Sequence, residues 1–190
     1  MRALLASKNA NKLRELRAAL PGWEIDLLGD HAFPSEEGDT YFENARAKAM
    51  FGRTLAPEDV AVLGEDSGIE VEALGGRPGV ESARWAEDGV AALLAALEGV
   101  TDRRARYVCE LVLHDARGEA SGRGTIAGTI ATEPRGSEGF GYDPIFVPAG
   151  ETRTVAELGN TWKSGNSHRA RAALALDELL RAGGERSGPD

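Results

Sequence analysis

Four short segments of this 190-residue chain carry residue types whose spacing suits chemistry on an anionic ligand. The first is Ser7-Lys8-Asn9-Ala10-Asn11-Lys12, between an apolar strand pattern and a helix pattern. A polar loop feeding a helix N-terminus gathers free backbone N–H groups at the positive end of the helix dipole, which suits phosphate. Lys8 and Lys12 would add charge, and Ser7, Asn9 and Asn11 short hydrogen-bonding side chains. The segment lacks G-x-x-x-x-G-K-[ST], so it is no P-loop, and alone it reads more simply as an Asn-capped surface helix.

The second segment is Gly64-Glu65-Asp66-Ser67-Gly68, at the end of an apolar run that looks like a central strand. Carboxylates there occupy the usual ligand position of an open α/β sheet and suit Mg²⁺, a hard cation that prefers oxygen. An exposed turn explains the same residues equally well, since Asp, Ser and Gly all form turns. Glu36 and Glu37 could supply a further carboxylate or belong to a solvated acidic loop. The third segment, Gly139-Phe140-Gly141-Tyr142-Asp143-Pro144, would let backbone and aromatic rings approach a flat ligand, or drop its rings into the core. The fourth runs from Lys163 to Arg169 and includes His168. Positive groups in and before a helix start oppose the dipole, at roughly 0.3–1 kcal/mol per charge. An anion bound between them would supply the compensation, so this segment argues most strongly for function.

The elements that must position these segments follow from periodicity. Residues 2–6 and 23–28 read as strands, 11–20 as a helix with Leu13, Leu16 and Leu20 on one face. Thr40 and Glu43 have capping-box spacing at the start of a helix running to about residue 55. Residues 60–64 read as a strand, 69–74 as extended chain, and 91–97 as an apolar helix. Residues 106–114 and 119–131 form a hairpin, 144–147 another strand, and 167–181 a final helix with Ala170, Leu174 and Leu179 inward. This order predicts an α/β fold, a mixed β-sheet flanked by helices, in one domain over 1–183 with a disordered tail over 184–190.

Composition narrows the partners. Net charge is −9, which argues against sequence-independent binding to nucleic acid or acidic membranes. No apolar run reaches membrane-span length, and the N-terminus lacks a signal-peptide pattern. One cysteine, Cys109, excludes an internal disulfide framework, so a cytoplasmic protein is expected. Of 22 basic residues only four are Lys: Lys8, Lys12, Lys48 and Lys163.

Five pieces in chain order resemble the inosine triphosphatase family, the pyrophosphatases of non-canonical purine nucleoside triphosphates. They are A-S-K-N-x-x-K-x-x-E at 6–15, T-Y-F-E-N-A-x-x-K-A at 40–49, D-S-G-I-E-V-x-A-L-G-G-x-P-G-V-x-S-A-R at 66–84, G-F-G-Y-D-P-I-F at 139–146, and K-S-x-x-S-H-R at 163–169. All four lysines fall inside them. The resemblance implies an elongated fold of two lobes with a central active-site cleft, usually a homodimer. It implies Mg²⁺-dependent hydrolysis of ITP, dITP and XTP to the monophosphate and pyrophosphate. Carried over by position, Ser7, Lys8, Asn9, Ala10, Asn11 and Lys12 would hold the triphosphate. Asp66 would bind metal and act as proton acceptor, with Ser67 beside it on the substrate. Phe140, Gly141, Tyr142 and Asp143 would wall the nucleoside, and Lys163, His168 and Arg169 would contact base and phosphates. The family usually has Asp-Asp-Ser-Gly where this chain has Glu65. The acidic loop is also one residue short of the common pattern, leaving Glu36 or Glu37 as its metal ligand, Glu37 by a small margin.

A metal-bound carboxylate has a lowered pKa, so Asp66 is expected to accept a hydrogen bond from an oriented water rather than act as a strong base. Donors such as His168 or Arg169 aimed at O6 would reject a 6-amino purine, while rejection of guanine needs an objection to its 2-amino group. Other modified nucleotides as substrates, or nucleotide binding without turnover, are the alternative readings; intact Asp66, Glu36 and Glu37 argue against the latter.

Overall fold

Apolar alternation and side-chain caps set where the elements begin. The computed structural model describes residues 1–183, so the disordered tail expected over 184–190 lies outside the described residues. The elements are β1 (Arg2–Leu5), α1 (Ala10–Ala19), β2 (Glu24–Leu27), α2 (Tyr41–Arg53), β3 (Ala61–Val71), α3 (Gly89–Ala96), β4 (Arg104–Asp115), β5 (Gly118–Ile130), β6 (Phe146–Pro148), α4 (Val155–Asn166) and α5 (His168–Arg181). Thr40 caps α2 in a full capping box with Glu43, as its spacing predicts.

The strands form one six-stranded sheet in the order β2-β1-β3-β4-β5-β6. β1 runs parallel to β2 and β3, and the remaining pairs are antiparallel, so the expected mixed sheet flanked by helices is present. β1 stops at Leu5 opposite Leu63, whereas β3 continues along β4 to Val71. Beyond that point the edge of β3 faces no strand until the Ser82 hydroxyl meets the Ile69 amide.

The apolar core has two main parts on either side of this gap, and Ala45, Ala49 and Val112 form a small third cluster. Of the main parts, one gathers Leu5, Leu16, Leu63, Leu111 and Leu176; the other gathers Ile69, Leu93, Tyr107, Ile126 and Phe146. They correspond to two lobes, and the polar middle of β3 lies between them. Two glycines bring helices flush onto the sheet there. A Cβ on Gly64 would stand 1.9 Å from the Ala45 carbonyl of α2, and one on Gly124 would stand 2.0 Å from the His168 carbonyl of α5. Among the described residues, no helix is long and apolar enough to cross a membrane.

Three local expectations are corrected. Residues 65–68 form no turn: they are continuous strand within β3, whose ten paired registers to β4 override the turn preference of Asp-Ser-Gly. The extended reading of 69–74 holds only to Val71, after which Glu72–Leu74 forms a 3₁₀ turn. Leu174 is exposed, and Ala173 and Leu176 face inward with Ala170 instead. The sequence pattern does not announce α4, because Gly159 breaks it with a φ of 83° and obscures its period.

Candidate active site

The pleat of β3 separates the two adjacent acids. Successive side chains alternate faces, so Asp66 points toward α2 while Glu65 and Ser67 point toward α1 and α5. On the α2 side, Asn44 Nδ2 donates to Asp66 Oδ2 at 3.1 Å and Lys48 Nζ to Asp66 Oδ1 at 3.2 Å. The Lys48 ammonium also donates to the Glu65 carbonyl at 3.0 Å and pairs with the Glu36 carboxylate. Arg84 reaches over from the far loop, donating to Glu36 Oε2 at 3.2 Å and to its carbonyl at 2.8 Å.

Burial, with the carboxylates of Glu36 and Glu65 nearby, pushes Asp66 up to about 6 against the pull of Lys48. Burial alone would lower the Lys48 ammonium, yet Asp66 and Glu36 beside it raise it. A cavity of about 490 Å³ opens here, lined by Ser7, Lys8, Lys12, Glu36, Lys48 and Arg84.

The opposite face of β3 is a sealed ion network. Arg169, 1% exposed, donates to Glu65 Oε1 from Nε at 3.0 Å and from Nη2 at 2.9 Å. Its Nη1 donates to Glu15 at 2.5 Å and its Nη2 to Ser67 Oγ at 2.8 Å. Lys163 pairs with Asp143 at 2.6 Å and with Glu15. Burial alone would raise the Glu65 carboxyl, but Arg169 and Lys12 hold it well below the usual range. His168 stacks on Tyr107 with centroids 4.4 Å apart and planes 6° from parallel. Its Nδ1 has no hydrogen-bond partner among the described residues. Burial and then the Arg169 charge hold the imidazole pKa well below its usual value, which leaves it neutral.

Above this floor is a second cavity of about 170 Å³, lined by Ser67, Tyr107, Phe140, Tyr142, Lys163 and His168 among others. The Phe140 ring lies 4.6 Å from Lys163 Nζ. Lys12 borders both cavities and pairs with Glu65 at 2.6 Å.

The sequence candidates therefore divide. Ser67, Phe140, Gly141, Tyr142, Asp143, Lys163, His168 and Arg169 converge on the second cavity, whereas Asp66 lies on the other face of β3 against Asn44 and Lys48 and lines neither cavity. Ser7 and Lys8 line the first, although Lys8 is exposed and pairs with Asp30 at 2.5 Å. Asn9 lines the second cavity and caps α1, so its side chain already holds the amides of Asn11 and Lys12 that were expected to be free for phosphate. Ala10 and Asn11 line neither cavity. Of the loop acids, Glu36 faces Asp66 across Lys48, while Glu37 is exposed and accepts from Ser35 Oγ at 2.7 Å. Both loop acids line the first cavity, and Glu36 is the one paired with Lys48 beside Asp66.

The fourth segment is also corrected. Lys163 sits in the last turn of α4, the favourable end of that dipole, and Glu15 and Glu65 compensate Arg169 from within the chain. The compensation assigned to a bound anion is already present. Four of Arg169's N–H donor bonds are committed to Glu65, Glu15 and Ser67, so His168 is the freer group facing the cavity.

Sequence reasoning gave no site role to Glu15, Asn44, Arg84 or Tyr107. Asn44 and Lys48 carried a usable signal: polar residues four apart on the helix face that also buries Ala45 and Ala49.

The donor set around Asp66 is hard oxygen throughout: two carboxylates, Asp66 and Glu36, bridged by one ammonium. Among the described residues, no group of three or more metal-ligating side chains is gathered. That set fits a cation that takes one or two carboxylates and completes its shell with water and substrate phosphate, as Mg²⁺ does.

The comparisons with known proteins agree with one another. A family model described as the Ham1 family matches residues 3–179. A protein of Symbiobacterium thermophilum named dITP/XTP pyrophosphatase is 47% identical over 95% of this chain and 95% of its own length. One of the same name from Deinococcus deserti is 42% identical over 95% of this chain and 89% of its own length. The solved Staphylococcus aureus Ham1 protein superposes with a TM-score of 0.83 at 33% identity, covering 96% of this chain and all of that one. A Mycobacterium abscessus structure titled nucleoside-triphosphatase / dITP/XTP pyrophosphatase gives 0.72 at 39% identity, covering 95% of this chain and all of that one.

Proposed function

The chain belongs to the Ham1 family, and from that premise we propose that it hydrolyses ITP, dITP and XTP to the nucleoside monophosphate and pyrophosphate, clearing them from the nucleotide pool. One observation carries the reading: Lys12 borders both the cation-lined cavity and the aromatic one. A single molecule with a phosphate chain at one end and a flat base at the other can fill both, crossing the open edge of β3 where Asp66 and Ser67 lie.

The chain's own residues then have separable tasks. Lys8, Lys12 and Lys48 offset the charge of the phosphates, and Ser67 lies beside the path between the cavities. Asp66 and Glu36 would hold Mg²⁺, whose chemistry there is to neutralise phosphate oxygens. Asp66 accepts a hydrogen bond from the attacking water and orients it, which is the positioning that phosphoryl chemistry rewards. Phe140 and Tyr142 wall the base. His168, neutral and facing the cavity, offers a ring nitrogen to its polar edge. Lys163 beside it gives a 6-oxo group a donor and confronts a 6-amino group with one, leaving buried groups unpaired.

A cytoplasmic setting is supported by the single, buried cysteine, Cys109. The homodimer rests on the family resemblance alone, and sedimentation of the purified chain tests it.

The experiment for the whole reading is purified protein with Mg²⁺ and ITP, XTP, ATP or GTP, assayed for pyrophosphate and orthophosphate. ITP and XTP should release pyrophosphate far faster than ATP and GTP. Equal rates on ATP and ITP would overturn the selectivity, and orthophosphate as first product would overturn the cleavage site.

A further inference from the structure

Glu15 has no task in the reaction as described, yet it is the carboxylate that touches both buried cations of the nucleoside floor. It is 5% exposed; one oxygen pairs with Lys163 and the other accepts from Arg169 Nη1 at 2.5 Å. Each cation already has another acid: Asp143 lies 2.6 Å from Lys163 and Glu65 lies 2.9 Å from Arg169. Lys163 belongs to α4 and Arg169 to α5, and the two helices are separated by the non-helical Ser167. Glu15 comes from a third element, α1, one turn after Lys12, and so stands on the same helix face.

A lysine held by one carboxylate keeps a flexible four-carbon stem and can swing its ammonium aside. Held at Nζ by Asp143 and Glu15 together, and covered by the Phe140 ring, it cannot. A floor that cannot adjust is what selectivity against a 6-amino purine demands, because a mobile donor would turn away from adenine and remove the penalty.

We propose that Glu15 is a positioning residue for base selectivity, locking Lys163 and Arg169 into one arrangement from the helix that also carries Lys12. The inference rests on the proposed function, and the test separates the two.

The test is steady-state kinetics on ITP and ATP with Mg²⁺ for wild type, Glu15→Gln and Glu15→Asp, alongside thermal melts. Glu15→Gln keeps the shape and loses the charge. Its kcat/KM ratio of ITP to ATP should fall about tenfold or more, chiefly through a lowered KM for ATP with kcat nearly held. Glu15→Asp retains charge but is too short to span both cations, and should give an intermediate ratio.

A wild-type enzyme without preference for ITP would overturn the proposed function. A wild-type preference that survives intact in folded Glu15→Gln would overturn this inference alone. So would an equal loss on both substrates with the ratio unchanged, or the failure of both variants to fold, since Glu15 would then serve structure only.

Discussion

The two cavities are built from the same materials and behave oppositely. At the first cavity, Lys8, Lys48 and Arg84 face Asp30, Glu36 and Asp66; beneath the second, Lys12, Lys163 and Arg169 face Glu15, Glu65 and Asp143. The Lys8 and Arg84 side chains are 58% and 44% exposed, whereas those of Lys163 and Arg169 are 2% exposed. Ion pairs open to water exchange partners at little cost, and buried ones do not. The first cavity can therefore hand Lys8 and Arg84 to an arriving polyanion, with Lys48 kept buried beside Asp66, while the second keeps its donors where they are. Identical chemistry, differing only in water, yields a gripping surface in one place and a template in the other.

That contrast can be broken most directly at Arg169. Arg169→Met leaves Glu65 with Lys12 alone and Glu15 with Lys163 alone in the interior, and should cost about 3–5 kcal/mol of stability by denaturant unfolding. A variant that unfolds with the wild-type midpoint would show that the floor is not sealed. Asp66→Asn should lower turnover about 10³-fold. Its melting temperature at neutral pH should hold or rise, because burial already disfavours that charge. Near-normal turnover would remove Asp66 from the reaction.

Smaller effects belong to the open side. Glu36→Gln should raise the Mg²⁺ concentration for half-maximal rate about tenfold with little change in the melt. Glu37→Gln should leave it near the wild-type value, and the reverse result would restore Glu37 as the loop ligand. Least of all, Lys8→Ala should raise the KM for ITP a few-fold and leave the melting curve where it was. A clear loss of stability there would mean that the Lys8–Asp30 pair does more than an exposed ion pair does.

The sheet and most helices were legible because their signals are local. The Thr40–Glu43 box and the leucines of α1 declare themselves within a dozen residues, and the β4–β5 hairpin joins neighbouring strands across one short turn. The network beneath the second cavity was not legible, because Glu15 and Arg169 are 154 positions apart and no periodicity joins them. Its absence produced a wrong inference about compensation at the start of α5. The segment at 65–68 failed for a related reason: local turn chemistry was outvoted by β4, a partner more than thirty residues downstream. The motifs named residues that the fold gathers around two cavities; which of two adjacent acids faces which helix depended on the pleat, and no motif encodes that.

Gly64 and Gly124 extend this point to variation in the chain. The reach of Lys48 to Asp66, and of Arg169 to Glu65, depends on helices resting directly on bare backbone. A single methyl group at either position acts as a shim, lifting an entire row of side chains off its marks while every one of them is still encoded. Loss of activity can thus be inherited through two residues that touch no part of a nucleotide, and a library designed around the cavity walls alone would never sample them.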